Sequence, residues 1–361
     1  MQRCLDLAKA GLRDAMPNPS VGAVLVYNGR IIGEGFTSPY GGPHGEVNCL
    51  ASVAEADRHL IPHATLYVSL EPCSHYGKTP PCCDLIIQHQ IKNIVVGTAD
   101  PHEKVAGNGI RKLEEAGSNI IVGMLEKECR ESNRRFFTFH EKKRPYIILK
   151  WAESADGYLS PKASSDDLIV EKSSNLYIQS EAVESKKPIW ITNKYSRQLV
   201  HKWRTEEAAI LAGTQTVLDD NPQLDARDWQ GKNPVRIVLD RTGKISGEYF
   251  VKNQKIKTIV LTEEIDLPNL DNLVYENVLF DKNLAASIAD VLYSHNLLSV
   301  IIEGGTKTLQ TFIDAGLWDE ARVFKGTSIF NGGTRAPLLP GAPARRQMIV
   351  DDELLNYRNY D

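Results

Sequence analysis

Cys4, Leu5, Ala8 and Leu12 recur at helical spacing over residues 2–12, and the proline-bearing turn MPNPS (16–20) ends that helix. Two apolar runs follow, VGAVLVY (21–27) and RIIGEGF (30–36). Between them stands Asn28-Gly29, whose tolerance of positive φ suits a two-residue hairpin turn. Helical and strand patterns then alternate: helix 44–56, strand 65–70, helix 82–90, strand 93–97, helix 108–116, strand 119–123 and helix 125–137. That order predicts an α/β layer sandwich.

The charged stretch HEKKRP (140–145) interrupts the rhythm, so a domain boundary is expected near residue 144, giving domains 1–144 and 145–361. The second half is α/β as well. It reads as strands at 146–152, 188–192, 208–212, 235–239, 257–262 and 298–302, with helices near 195–204, 284–295 and 306–315. Residues 160–187 are polar and weakly patterned, which suggests a long surface excursion. The length of 361 residues agrees with two domains at about 150 residues each.

Lys plus Arg is 42 and Asp plus Glu is 46, so the formal net charge is −4 in a 42% hydrophobic, 24% charged chain. That balance argues against a disordered chain and against a strongly basic nucleic-acid binder. No apolar run approaches the roughly 18 residues of a membrane span, and MQRCLDLAKAGLRDAM has no signal-peptide core. A cytoplasmic protein is expected. Six cysteines are too few for a disulfide scaffold, so their positions carry more information than their number.

PHGEVN (43–48) opens a helix, and EPCSHYGKTPPC (71–82) runs from a strand end to a helix start. From them one imidazole, His44, and two thiols, Cys73 and Cys82, make a candidate ligand set. Zinc takes nitrogen and sulfur tetrahedrally, and three protein ligands leave a fourth position for water, the catalytic pattern. A closed structural site would need a fourth side chain, for which Cys83, Cys49 and His75 are candidates. Glu46, two residues after His44, favours catalysis. Two thiolates cancel the charge of Zn²⁺ and acidify its water less than three imidazoles would, so a base is needed. Glu46 would take the water's proton and later deliver one to a departing amine, releasing ammonia.

H-x-E followed by P-C and a second Cys is the zinc-deaminase signature, usually written with C-x-x-C, whereas eight residues separate these cysteines. PCSHYGKTPPC, with PNPSVGAVLV (17–26) and DPHEKVAGNGI (100–110), resembles the bifunctional deaminase-reductases of riboflavin biosynthesis. The resemblance implies a cytidine-deaminase-like α/β/α sandwich followed by a dihydrofolate-reductase-like α/β domain. It implies one Zn²⁺ per chain on His44, Cys73 and Cys82, with Glu46 as proton shuttle. Asn18, His75 and Lys78 would line a pyrimidine ribosyl phosphate site. Thr37 stands where the family commonly has His, and His102 where it has Asn.

In the second half no G-x-G-x-x-G follows a strand, so a standard dinucleotide fold is not supported. IIEGGTKTLQTF (301–312) instead runs a strand into Gly304-Gly305 and a helix, where bare amides can receive a cofactor phosphate. KWAESADG (150–157), IWIT (189–192), HKWR (201–204), ILAGTQTVLDDNPQLDAR (210–227), PVRIVLD (234–240) and IEGGTKTL (302–309) follow the order of the family's reductase half. That match implies NADPH held by Trp190, Thr216, Asp220 and the segment from Gly305, with a backbone contact at Glu153. It implies substrate held by Arg204, Leu224, Arg227 and Glu303. Arginine's planar fork suits a phosphate, and Glu303 at a strand's carboxyl end suits sugar hydroxyls. Pro188 replaces the family's Ser. Lys150 and Asp156 are the nearest acid-base candidates.

The reaction implied is removal of the exocyclic amine of a diaminopyrimidinone ribosyl phosphate, then reduction of ribosyl to ribityl. A small-molecule substrate, no nucleic acid, no membrane and a homo-oligomer are expected. Two rivals remain: a free nucleoside or tRNA-base deaminase with an accessory domain, and a zinc-stabilised module without turnover. The cysteine spacing and lack of a basic tract count against the first. The second predicts that chelation unfolds the N-terminal domain.

Overall fold

The protein is described by a computed structural model covering residues 1–102, 107–162 and 190–360. It divides into two compact units, Met1–Arg144 and Pro145–Asp361.

In the first unit, helix α1 (Gln2–Ala15) turns Cys4, Leu5 and Ala8 inward onto strand β1 (Gly22–Tyr27). The approach is close enough that a Cβ on Gly22 would stand 1.9 Å from the Cys4 carbonyl oxygen, so only glycine fits. Asn28 and Gly29 take φ of 47° and 77° and return the chain into β2 (Arg30–Phe36), antiparallel to β1. Helix α2 (Gly45–Ala51), β3 (Thr65–Val68), α3 (Cys82–Gln88), β4 (Asn93–Val96), α4 (Asn108–Glu115), β5 (Asn119–Val122), α5 (Glu126–Ser132) and α6 (Arg134–Lys142) follow. The five strands form one sheet in the order β2-β1-β3-β4-β5, with β3, β4 and β5 parallel. Leu25, Leu66, Val68, Ile94 and Val96 form its buried rows. Each such side chain contributes about 1.5–3 kcal/mol at most when fully withdrawn from water.

Two expected helices are cut short. The helix expected over 44–56 ends at Ala51, where the Ser52 hydroxyl donates to the Cys49 carbonyl, and a 3-10 helix spans Glu55–His63. The helix expected over 125–137 breaks at Asn133. Its side-chain amide accepts from Ser20 N and donates to Ser20 O, both at 2.9 Å, and pulls the backbone out of helical geometry.

In the second unit, β6 (Tyr146–Glu153) and β7 (Tyr158–Pro161) precede α7 (Lys194–Glu206), β8 (Ala209–Ala212), α8 (Thr214–Asp220), β9 (Val235–Leu239), β10 (Thr258–Thr262) and β11 (Leu273–Asn277). Then come α9 (Leu284–Ser294), β12 (Ser299–Glu303), α10 (Thr306–Asp314), β13 (Glu320–Lys325), β14 (Gly333–Arg335), β15 (Arg345–Ile349) and β16 (Asp352–Arg358). Among the described residues these form a nine-stranded sheet ordered β11-β10-β9-β8-β12-β6-β13-β16-β15, parallel as far as β13, while β14 pairs with β7. The central strands read as continuous apolar runs because both faces are covered.

Residues 190–192 lie outside any strand, so the strand expected over 188–192 is not formed there. Trp190 instead lies 57% exposed beneath the Arg197 guanidinium, 4.5 Å away. Pro188 and most of the expected excursion, residues 163–187, fall outside the described residues. Its first residues belong to β7 rather than to a loop.

Candidate active sites

His44 is the extended residue immediately before α2, Cys73 follows β3, and Cys82 is the first residue of α3. These elements converge so that His44 Nδ1 lies 3.5 Å from Cys73 Sγ and 3.3 Å from Cys82 Sγ, with all three ligand atoms within 4.8 Å of one another. One nitrogen and two sulfurs at that separation fit a tetrahedral zinc ion with a fourth position left open. Hydrogen bonding within the Cys73–Cys82 pair lowers the Cys73 thiol and raises that of Cys82, so the two sulfurs share one proton readily. None of the fourth-ligand candidates joins the cluster. Cys83 Sγ donates to the Pro72 carbonyl at 3.3 Å, Cys49 is packed in the core, and the His75 ring stacks on His102 at 6.4 Å.

Glu46 on α2 is 3% exposed, and its Oε2 has no hydrogen-bond partner among the described residues. Burial, then the charge of Cys73, pushes its carboxyl up to about 7. A buried carboxyl that exchanges its proton near neutrality beside a three-ligand metal centre is suited to general acid-base work.

The surrounding loops hold residues of two kinds. Lys78 Nζ sits 3.9 Å from the centroid of the Tyr40 ring, and His75 and Asn18 lie near the surface. Thr37 is structural: its hydroxyl accepts from Val21 N at 2.9 Å and ties the end of β2 to the start of β1. The His102 ring meets His140 edge-on at 4.8 Å, and burial lowers His140 to about 4. Glu71, which the sequence reading passed over, accepts four backbone N–H groups: Asp100 at 3.1 Å, Gly107 at 3.0 Å, Gly109 at 2.9 Å and Ile110 at 3.3 Å. It fastens the chain after β4 and the start of α4 to the segment carrying Cys73. Only its place just before Pro72-Cys73 hinted at this.

In the second unit, Glu303 at the carboxyl end of β12 is the register partner of Lys150 on β6. Arg204 on α7 reaches the same carboxylate in bidentate fashion, Nε at 3.2 Å and Nη2 at 2.9 Å, and Lys150 Nζ stands 3.6 Å away. Burial alone would raise Glu303, but Arg204 and then Lys150 draw it down to about 2, while burial lowers Lys150. Arg204 Nη1 also donates to the Asp225 carbonyl at 2.9 Å, and Arg227 pairs with the Asp225 side chain at 2.6 Å. Leu224, at φ 49°, turns its side chain into a core with Ile210, Val217 and Val238.

Gly213 after β8 and Gly304-Gly305 after β12 meet where these adjacent parallel strands end. A Cβ on Gly304 would lie 3.6 Å from both Gly213 N and Thr216 Oγ1, whereas one on Gly305 would meet nothing within 4 Å. Gly305 precedes α10 without a side-chain cap, so first-turn amides stand open, the room and polarity a nucleotide phosphate requires. Asp220 lies exposed at the end of α8 and Glu153 accepts from Trp151 Nε1. Asp156 is an anchor: its carboxylate accepts from Ser154 Oγ, Phe330 N and Asn331 N and is held at about 2, chiefly by Ser154. Such a group is not a proton donor near neutrality.

A family model for the cytidine and deoxycytidylate deaminase zinc-binding region matches residues 1–98, and one for the RibD C-terminal domain matches residues 145–356. The riboflavin biosynthesis protein RibD of Aquifex aeolicus is 36% identical over 342 residues, covering 92% of this chain and 87% of the relative. The chain belongs to the RibD family. RibD of Bacillus amyloliquefaciens is 34% identical over 94% of this chain and 86% of its own. The crystal structure of the Thermotoga maritima diaminohydroxyphosphoribosylaminopyrimidine deaminase/5-amino-6-(5-phosphoribosylamino)uracil reductase is 37% identical. It covers 100% of this chain and 97% of its own, with a TM-score of 0.83. As a RibD protein, the chain is a bifunctional enzyme of riboflavin biosynthesis. It has a cytidine-deaminase-like zinc-binding deaminase domain and a dihydrofolate-reductase-like domain that uses NADPH. No helix among the described residues is long and apolar enough to cross a membrane.

Proposed function

We propose that the first unit, residues 1–144, removes the exocyclic amine of 2,5-diamino-6-ribosylamino-4(3H)-pyrimidinone 5′-phosphate, and that the second, residues 145–361, reduces the ribosyl chain of the product to ribityl. The observation that carries this reading is Glu46: a buried carboxyl with one unpartnered oxygen, raised to about 7, beside a His-Cys-Cys cluster that no fourth side chain joins among the described residues. His44, Cys73 and Cys82 hold zinc, which supplies Lewis-acid activation of water. Glu46 takes a proton from the attacking water at Oε2 and returns one to the departing amine, so that water is consumed and ammonia leaves. Asn18 and His75 flank the pyrimidine, and Lys78 faces the 5′-phosphate.

In the second unit, Gly305 and the first turn of α10 receive a phosphate of NADPH, with Thr216, Asp220, Trp190 and the backbone at Glu153 along the same cofactor. NADPH supplies the hydride, and the protein supplies placement and charge. Arg204 and Arg227 hold the substrate with Glu303 and the backbone at Leu224, Arg227 meeting the phosphate from its exposed position. Lys150 Nζ, lowered by burial, carries the proton nearest the sugar.

Six unpaired cysteines and a net charge of −4 fit a cytoplasmic enzyme with a small-molecule substrate and no affinity for nucleic acid. Homo-oligomeric assembly is part of the same reading, and light scattering on the purified chain reports it. The function is tested by two variants. Glu46→Ala abolishes ammonia release yet still oxidises NADPH when the deaminated intermediate is supplied, and Arg227→Ala does the reverse. A folded variant that loses both reactions overturns the assignment of separate sites.

A further inference from the structure

Lys78 belongs to a loop without regular structure, and a free lysine there would sample many rotamers, but its ammonium lies over the Tyr40 ring, 3.9 Å from the centroid. The stem passes beside the same turn: Gly41 takes φ 91°, and a Cβ built there would reach to 3.5 Å of Lys78 Cδ, so glycine leaves the lysine its place. The seat itself is fixed: Tyr40 N donates to Asp14 O at 2.8 Å, Gly42 N to Pro39 O at 2.9 Å and Ser38 N to Pro43 O at 3.0 Å. Asn48 on α2 donates to Ser38 Oγ and to Phe36 O. The residue after Pro43 is His44, so the lysine rests on the segment that delivers a metal ligand.

An aromatic face attracts a cation through its quadrupole without neutralising it or using its hydrogen-bond donors. Nζ therefore keeps N–H groups free for an anion, while the rotamer freedom lost on binding is already restricted. We propose that Tyr40 is a positioning residue that seats Lys78 for the substrate's phosphate. It thereby sets the preference of the deamination step for the 5′-phosphate ester over the unphosphorylated riboside. This rests on the assignment of Lys78 to the phosphate side of the deaminase site.

The test compares deamination of ester and riboside by the full-length zinc enzyme carrying Tyr40→Leu, Tyr40→Phe, Lys78→Ala or the Leu/Ala pair. Zinc content and NADPH oxidation with supplied intermediate serve as controls for folding. Tyr40→Leu is expected to raise KM for the ester about two- to five-fold at unchanged kcat, and to leave the riboside unaffected. Tyr40→Phe keeps the wild-type KM, because the ring and not the hydroxyl holds the cation. The double variant is no worse than Lys78→Ala alone. An equal rise for both substrates, a Phe variant as impaired as Leu, additive losses in the double variant, or loss of zinc with Tyr40→Leu would each overturn the proposal. If Lys78→Ala itself leaves the ester-to-riboside ratio unchanged, the phosphate assignment of Lys78 fails. If Lys78→Ala changes the ratio and Tyr40→Leu does not, only the seat fails.

Discussion

Glu46 in the first unit is buried and Glu303 in the second largely so, each beside groups of its proposed site, and their surroundings drive them in opposite directions. Glu46 has an unpartnered oxygen and is raised to about 7. Glu303 is saturated by Arg204 and Lys150 and lowered to about 2. The difference follows the chemistry each site must supply. Hydrolytic deamination moves protons through the protein, so its carboxyl must be able to change state near neutral pH. Hydride arrives with a cofactor, so Glu303 is suited to fixed charge, and the single proton that completes the reduction is left to Lys150, the other half of its cluster.

The severest test of that contrast is removal of the metal. Chelation is expected to abolish ammonia release completely while far-ultraviolet circular dichroism of the protein changes little and NADPH oxidation with supplied intermediate continues. A first unit that unfolds on chelation would mark the zinc as a structural staple rather than an open catalytic centre.

Removing Glu303 comes next in size. Glu303→Ala takes the carboxylate from Arg204 and Lys150, whose side chains are 11% and 15% exposed, so the cost should stay below the about 3–5 kcal/mol of a fully buried pair while lowering the denaturant midpoint of the second unit and leaving deamination intact. The pH dependence has a definite sign. Because the folded pKa of Glu303, about 2, lies below its ordinary 4.5, its stabilisation is present above about pH 4.5 and is lost as pH falls toward 2. Acid unfolding followed by fluorescence should therefore be shallower between pH 4.5 and 2 in Glu303→Gln than in the wild type. Equal slopes would remove the contrast with Glu46.

A smaller effect is expected from Glu71→Gln, which keeps one acceptor oxygen but turns an amide toward N–H groups that now meet a carboxylate. Zinc stoichiometry and NADPH oxidation should be unchanged, and kcat/KM for deamination should fall about ten-fold, the equivalent of one lost charge-assisted contact. If kcat/KM is unaffected, Glu71 acts on the fold alone.

The two sites were unequally legible in the sequence, for physical reasons. The clustering of His44, Cys73 and Cys82, with Glu46 two residues from the first, follows from residue types that zinc chemistry demands within 39 residues, and the hairpin at Asn28-Gly29 from positive φ. The Arg204–Glu303–Lys150 cluster spans three distant segments and becomes one object only through the register of β6 and β12. Strand β13 was missed because polar Glu320 and Arg322 are interleaved with Ala321, Val323 and Phe324 at its buried positions. Glu320 and Arg322 each lie 5% exposed and pair with each other at 2.7 Å, so no apolar run marks the strand. The breaks at Ala51 and Asn133 depend on side-chain bonds that periodicity does not encode, the second reaching back to Ser20.

Asp156 offers the gentlest probe of where fixed charge ends and proton transfer begins in the second unit. From the sequence it stood beside Lys150 as a candidate acid, yet its carboxylate receives Ser154 Oγ at 2.6 Å and the amides of Phe330 and Asn331 at 3.1 and 2.8 Å. Those bonds tie the turn between β6 and β7 to the segment after β13. An acid catalyst replaced by its amide loses about 10²–10⁴ in rate. Asp156→Asn should instead leave kcat for NADPH oxidation within about three-fold, because asparagine keeps one oxygen for Ser154 and Phe330 and loses only the Asn331 amide. Its folded pKa of about 2 lies below the ordinary 3.8, so the tie is complete above about pH 3.8 and slackens as pH falls toward 2. The group is exposed, so salt should reduce that slope. Proteolysis within residues 327–332 is the measurement closest to it, and cleavage should quicken in the variant at neutral pH. A rate loss of a hundred-fold with unchanged proteolysis would return Asp156 to the chemistry and erase the distinction drawn between the two units.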